Sequence, residues 1–132
     1  MIAVVDTCAI VWNAEGSTHL TKAAKDTIED AFSSDSLFIS SVSIWEIAWL
    51  MRRGRLNIKA PFREFIDDIL ISYKYVMLDI TPAIADIAAS FPPEVNSDPG
   101  DRLIAATAVF LDAPLVTADK NLRKSKAIKT IW

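Results

Sequence analysis

A chain with a single cysteine, Cys8, can close no disulfide within itself. A single histidine, His19, leaves nothing from which to build a four-ligand Cys/His zinc site. Although 52% of the 132 residues are hydrophobic, no apolar run approaches the ~18 residues that a membrane span needs. A positive segment ahead of a hydrophobic one, the mark of a secretory leader, is missing too, because Met1-Ile2-Ala3-Val4-Val5 runs straight into Asp6. No membrane association and a reduced, cytoplasmic setting are therefore expected. The chain has no internal repeat, no low-complexity stretch and no linker long enough to divide it, so one domain over residues 1–132 is expected. An excess of basic residues is absent as well. Lysine and arginine number 14 against 17 aspartates and glutamates, a net charge of −3 that, taken whole, argues against a nucleic-acid binder. No aromatic motif of the RNA-binding-sheet type is present.

What is there alternates between two periodicities. Ile2 to Val5 is a short apolar run ended by an acid, the pattern of a buried strand. From His19 to Phe32 apolar residues recur at helical spacing. Leu37 to Ile39 is again strand-like, and Ser43-Ile44-Trp45-Glu46 has the form of a capping box opening a helix through Met51, with Gly54 as its stop. Pro61 suits the first turn of a helix bearing Phe62, Phe65, Ile66, Ile69, Leu70 and Tyr73. Tyr75 to Ile80 reads as a strand, and Thr81-Pro82 starts a helix that Pro92-Pro93 stops. Asp98-Pro99 opens a strong helix through Leu111, Leu115 to Thr117 reads as a strand, and a last strand is predicted over 128–132. Strands that alternate with helices imply an α/β fold with a mainly parallel central sheet and helices on both faces.

Ligands of such sheets bind beyond the carboxyl ends of the strands, where strand order reverses. Asp6 ends the first strand and Asp119 follows the strand at 115–117; Glu46 and Asp101 are predicted in the first turns of their helices. All four acids are thus placed at one edge of the sheet. Each has a structural alternative. Glu46 could complete the capping box with Ser43, and Asp101 could complement the helix dipole. Asp98 is a natural N-cap before Pro99, and Asp119 could cap a short helix over 120–123. Asp6 is the hardest to explain as a cap, since no clear helix is predicted after it. Four carboxylates around one point repel, by roughly a few kcal/mol each in a partly desolvated cleft, and only Arg102 and Lys120 neighbour them in sequence. Hard divalent cations suit such a donor set, and phosphodiester hydrolysis is the chemistry they serve.

The segments Asp6-Thr7, Ser43-Ile44-Trp45-Glu46-Ile47, Asp98-Pro99-Gly100-Asp101-Arg102-Leu103-Ile104-Ala105-Ala106-Thr107-Ala108 and Leu115-Val116-Thr117-Ala118-Asp119 resemble those of PIN-domain ribonucleases. The likeness is greatest to the VapC-type toxins of type II toxin–antitoxin systems, and it extends over essentially the whole chain to Thr130-Ile131-Trp132. The resemblance implies a three-layer α/β/α fold and an endoribonuclease dependent on Mg²⁺ or Mn²⁺. Its partners would be RNA and a cognate antitoxin, and a homodimer is expected. By motif position Asp6, Glu46, Asp101 and Asp119 carry over as catalytic and metal-binding acids, with Thr117, Thr7 and Asp98 in support. The chain departs from the pattern at Cys8 and Asn96, where relatives often have histidine. Neither position belongs to the acidic quartet.

With the four site acids set aside, 14 basic residues face 13 acidic ones. Arg52, Arg53 and Arg55 cluster after the Glu46 helix, and Lys120, Arg123, Lys124, Lys126 and Lys129 cluster after Asp119. Either cluster is an ordinary solvated surface or a set of RNA phosphate contacts, represented best by Arg52, Arg53, Lys120, Arg123 and Lys124. Trp45 and Trp49, four apart, share a helix face. Core packing is the commoner role for such a pair; the alternative is an exposed anchor for a protein partner. Two other functions remain open at this level. A PIN-like module that binds without cutting is separated from a nuclease by metal-dependent cleavage. A phosphoryl-transfer domain of receiver or phosphatase type expects a second acid close to Asp6, which Thr7-Cys8 does not supply.

Overall fold

The opening apolar run forms β1 (Ala3–Val5), fully buried, and every other strand of the sheet runs parallel to it in the computed structural model, which describes residues 1–132. The chain continues through α1 (Thr7–Glu15), α2 (Lys22–Ser33), β2 (Leu37–Ser40), α3 (Ser41–Arg52), α4 (Phe62–Ser72) and β3 (Val76–Leu78). It closes with α5 (Pro82–Ser90), α6 (Pro99–Phe110), β4 (Leu115–Val116), α7 (Lys120–Lys124) and β5 (Thr130–Ile131). The strand order is β3-β2-β1-β4-β5, all parallel.

Alternation along the strands builds two cores. Ala3 and Val5 of β1, Leu37 and Ile39 of β2 and Val116 of β4 face a core shared with α1, α2, α3 and α4. Val4 and Leu115 face the opposite core, with Ile84 and Ala88 of α5, Ile104 and Ala108 of α6 and Leu122 of α7. A strand covered on both faces has no polar side to show, so β1 and β4 read as unbroken apolar runs. The result is the expected α/β/α three-layer arrangement.

The order reverses at β1: β2 and β3 lie to one side, β4 and β5 to the other. The crevice at that reversal lies beyond Val5 and Val116, and Asp6 and Thr117 are the next residues of their strands.

Three local expectations are corrected. The helix α1 follows Asp6 directly, where the sequence predicts none. Its buried residues include Ala9, Ile10 and Val11 in succession, so the sequence lacks helical spacing there. The capping box at Ser43 does not form. Ser40 is the N-cap of α3, with its Oγ accepting from Val42 N at 3.3 Å, and Ser43 and Glu46 lie inside the helix, Glu46 in its second turn. The strands predicted over 75–80 and 128–132 contract to 76–78 and 130–131, since each is an edge strand paired on one side.

Candidate active site

Five carboxylates open into one cleft of about 790 Å³, with Trp45 and Trp49 on its wall. Asp6 is the N-cap of α1. Its Oδ1 accepts from Thr7 N at 2.8 Å, and its Oδ2 accepts from the Thr117 hydroxyl at 2.6 Å, across the sheet reversal. Thr117 Oγ1 also accepts from Asp119 N at 3.1 Å. Thr7 donates its hydroxyl to Glu46 Oε1 at 2.5 Å, and Ser43 Oγ lies 2.9 Å from the same hydroxyl. Asp98 caps α6 through Gly100 N at 2.8 Å, and Asp119 caps α7 through Asn121 N at 2.9 Å and Leu122 N at 3.0 Å. The cap and site roles are therefore held by the same side chains, because a helix start is where a carboxylate oxygen can be fixed by backbone N–H groups while the other faces the cleft.

Glu46, Asp98 and Asp101 each offer an oxygen, and these oxygens all lie within 4.8 Å of one another. Gly100 allows that approach. A Cβ built on it would stand 2.5 Å from Glu46 Oε2 and 3.3 Å from Asp98 Oδ1.

Asn96 belongs to the site, and sequence reasoning missed its role. Its side-chain amide donates to Asp101 Oδ2 at 3.2 Å and to Asp119 Oδ2 at 3.1 Å, while its own Oδ1 accepts from Asn121 Nδ2 at 2.8 Å. The only signal in the sequence is the contrast with the histidine common in relatives. A neutral amide with two N–H groups can bridge two acids that would otherwise face each other unscreened.

No basic side chain neutralises the cluster. The ion pairs of the fold join Lys22 to Asp26, Arg63 to Asp67, Lys74 to Asp35 and Lys129 to Asp112. Arg102, beside Asp101 in sequence, turns away and donates to the carbonyls of Ala88, Phe91, Pro92 and Asn96, which fastens the loop that carries Asn96. At Asp6, Glu46 and Asp101 the electrostatic consequence has one sign. Burial raises the Asp6 carboxyl above its ordinary range, against the opposing bonds from Thr117 and Thr7. Burial likewise raises Glu46, against the Thr7 bond. Asp101 is pushed up to about 7, first by burial and then by the charges of Asp98, Asp6, Asp119 and Glu46. Cys8 is exposed at the cleft, yet partial burial of its thiol and then the charges of Asp6, Glu46, Asp101 and Asp119 push it up to about 11, so it stays protonated at neutral pH. Such a site stores negative charge that a divalent cation relieves, and its donors are the hard carboxylate oxygens that magnesium and manganese prefer.

The remaining residues of interest divide between two sides. Trp45 and Trp49 are 60% and 45% exposed, so neither is a core residue. Their rings stack at 5.5 Å, and the Arg53 guanidinium lies 4.4 Å above Trp49. Arg52 is exposed beside it at the end of α3. Lys120, Arg123 and Lys124 lie apart from these, in α7, around a second concavity of about 540 Å³ that Thr130 and Trp132 complete.

Comparison with known proteins agrees with this architecture. The PIN-domain family model matches residues 3–127. The chain is 34% identical over 123 residues to ribonuclease VapC22 of Mycobacterium tuberculosis, covering 92% of this chain and 90% of that protein. Among solved structures it resembles VapBC2 from Rickettsia felis bound to a DNA fragment from their promoter, with a TM-score of 0.73, 17% identity and coverage of 98% and 97% of the two chains. It also resembles DNA-bound VapBC from Salmonella typhimurium, with a TM-score of 0.70, 18% identity and coverage of 98% and 96%. With an acid-lined crevice at the sheet reversal and these likenesses along nearly its full length, the chain belongs to the PIN-domain family, in company with the VapC ribonucleases.

Proposed function

We propose that the chain is a metal-dependent endoribonuclease that serves as the toxin of a type II toxin–antitoxin pair. The observation that carries this reading is the convergence of oxygens from Glu46, Asp98 and Asp101 within 4.8 Å, with no basic side chain to balance them. Mg²⁺ or Mn²⁺ would be held by Glu46, Asp98 and Asp101, whose oxygens converge, with Asp6 and Asp119 on the same cleft joining them as the family resemblance implies. When bound, the cation supplies charge neutralisation at the phosphodiester and a lowered pKa for a coordinated water.

The chain's own groups prepare that chemistry. Thr117 and Thr7 N–H hold Asp6 in one rotamer, the Thr7 hydroxyl holds Glu46, and Asn96 holds Asp101 against Asp119. Locked acids lose little freedom on loading, so the site is preorganised rather than assembled by its ligands. Hydrolysis breaks one P–O bond of the RNA backbone as water oxygen joins phosphorus; the water's proton passes to a carboxylate or to solvent, and the leaving ribose oxygen keeps the bonding pair and takes up a proton from solvent.

Ribonuclease VapC22 is named for cutting RNA, and the resembling structures from Rickettsia felis and Salmonella typhimurium are VapBC complexes on DNA. We carry both features to this chain as elements of the proposal: RNA as substrate and an antitoxin as partner. An arginine of that partner suits an unneutralised carboxylate cluster, since its guanidinium is always charged and pairs bidentately. The exposed Trp45–Trp49 stack beside the cluster suits an apolar anchor of the same partner. A homodimer belongs to the same reading, supported by the exposed Val76 and Met77 on the edge strand β3. No helix is long and apolar enough to cross a membrane.

The deciding experiment incubates purified protein with RNA in chelator and then restores Mg²⁺ or Mn²⁺. Internal cleavage that stops in chelator and returns with either ion is expected. A protein that binds RNA yet never cuts it would favour a non-catalytic PIN module, and cleavage undiminished in chelator would overturn the mechanism.

A further inference from the structure

The cleft has two basic neighbourhoods, and the structure distinguishes them. At the end of α3, Arg53 is already engaged over the Trp49 ring, and the surface there is dominated by the two exposed indoles. The four ion pairs of the fold leave the cations of both neighbourhoods without a carboxylate partner, and what sets α7 apart is that Lys120, Arg123 and Lys124 line a shared concavity. In a chain of net charge −3, three exposed cations around one hollow make a local basic patch.

This concavity adjoins the acid cleft at two points. Asp119, on the cleft floor, is the N-cap of α7, so the residue after it, Lys120, already belongs to the concavity. Trp12 of the cleft also packs against Trp132 of the concavity, with ring centroids 5.7 Å apart. About one helical turn, ~5.4 Å, separates Asp119 from Arg123 along α7.

Resting on the nuclease reading above, we propose that the RNA strand leaves the acid centre on the α7–β5 side. The phosphates flanking the scissile one seat in the concavity of Lys120, Arg123 and Lys124, while the α3 side with Arg52 and Arg53 carries no RNA phosphate. The recognised ligand is the single-stranded phosphodiester backbone, and the contact is electrostatic and indifferent to base sequence.

The test measures binding of a short, unstructured, fluorescent RNA by anisotropy over a series of salt concentrations. Asp101→Asn protein serves as the background, so that the RNA stays whole. Adding Arg123→Gln and Lys124→Gln is expected to weaken binding about tenfold and to reduce the slope of log K against log salt by about 1.4, the share of two single-strand phosphate contacts. Arg123→Lys with Lys124→Arg keeps the charge and is expected to keep both affinity and slope. Arg52→Gln with Arg53→Gln is expected to leave both unchanged. RNA binding that ignores the Arg123/Lys124 change, or that falls as much with the Arg52/Arg53 change, would overturn the path while leaving the nuclease reading intact. Protein that binds no RNA in any form would remove both.

Discussion

Gly100 and Glu46 approach so closely that a Cβ on Gly100 would stand 2.5 Å from Glu46 Oε2. The glycine has an ordinary helical conformation, near the start of α6, so backbone freedom is not what requires it. It is there for space. Alanine is the better helix former by about 1 kcal/mol, but the clashing carboxylate is the one that the Thr7 hydroxyl holds, so the two effects oppose each other. Gly100→Ala is therefore expected to leave the melting temperature close to that of the parent while pushing Glu46 away from Asp98 and Asp101. A displacement of this size costs on the order of 100-fold in rate when it falls on a catalytic group. Thermal melting and a cleavage assay on one protein check both halves, and a Gly100→Ala enzyme of normal activity would show that Glu46 need not sit there.

Asp101 carries a proton up to about pH 7 in the unliganded site. Its folded pKa lies above the ordinary value of 3.8, so between the two the folded state binds more protons than the unfolded one. The stability of the metal-free protein must therefore fall as pH rises from about 4 towards 7, and recover as pH is lowered. Metal competes with that proton, so cleavage at limiting Mg²⁺ is expected to decline as pH drops below about 7. Asp101→Asn removes the buried charge. It should melt a few degrees higher than the parent above pH 7, lose that advantage near pH 4, and cut no RNA. Asp6→Asn should likewise be inactive and folded, because an asparagine oxygen can still accept from Thr7 N as the cap of α1. If Asp101→Asn melts earlier than the parent at every pH, its carboxylate is a structural cap and the site assignment is wrong.

Much of this was legible in the chain because the same residues serve local and global ends. The unbroken apolar runs at 3–5 and 115–116 follow from strands buried on both faces, and Asp6 follows the first directly while Asp119 follows the second after Thr117 and Ala118. Asp98 before Pro99 announced a helix start and a carboxylate at once. What escaped was decided by contacts distant in sequence. The Ser43-x-x-Glu46 pattern imitates a capping box, but Ser40 takes the cap and leaves Glu46 to the Thr7 hydroxyl, 39 positions away. The helix after Asp6 is buried at successive positions and so lacks an amphipathic signature. Trp45 and Trp49 look like core on composition, and only the packing of α3 shows that their face meets the cleft. Asn96 is silent in any local pattern, since its bonds reach Asp119 and Asn121 across 23 and 25 positions.

The Asn96 amide is also the point of the site most open to chemical test. Asn96→Ala removes the donors that hold Asp101 and Asp119 together, without touching any carboxylate. Partners that orient metal ligands are worth roughly 10- to 100-fold in metal affinity. Calorimetric titration with Mn²⁺ in the absence of RNA should show a loss of that order, and cleavage should recover to some extent at high Mn²⁺. Asn121→Ala, which frees only the far end of the amide, is expected to give a smaller loss, and combining it with Asn96→Ala should add nothing further. Unchanged Mn²⁺ affinity in Asn96→Ala would reduce the bridge to an ordinary surface contact.

On the proposed reading, Trp49 is the residue whose change should separate inhibition from catalysis. Its side chain is 45% exposed, stacked on Trp45 and covered on one side by Arg53, and it touches none of the carboxylates through a hydrogen bond. Truncating a buried tryptophan costs about 3–5 kcal/mol of stability, whereas this one forfeits only some of its packing, so Trp49→Ala should melt close to the parent. Its RNA cleavage should also stay close to that of the parent, since the acids and their hydroxyl and amide supports are untouched. The antitoxin is a different matter. A partner segment that brings an arginine to the acids must find its apolar hold nearby, and the indole stack is the exposed apolar surface at the cleft wall. Loss of an aromatic anchor of this kind costs on the order of 2 kcal/mol, about 30-fold in affinity. A binding titration of purified Trp49→Ala with the antitoxin reads the effect, and the melting curve of the same sample guards against a folding defect. Unchanged antitoxin affinity in a well-folded Trp49→Ala would reject the anchor and leave the carboxylates alone to account for the partner's grip.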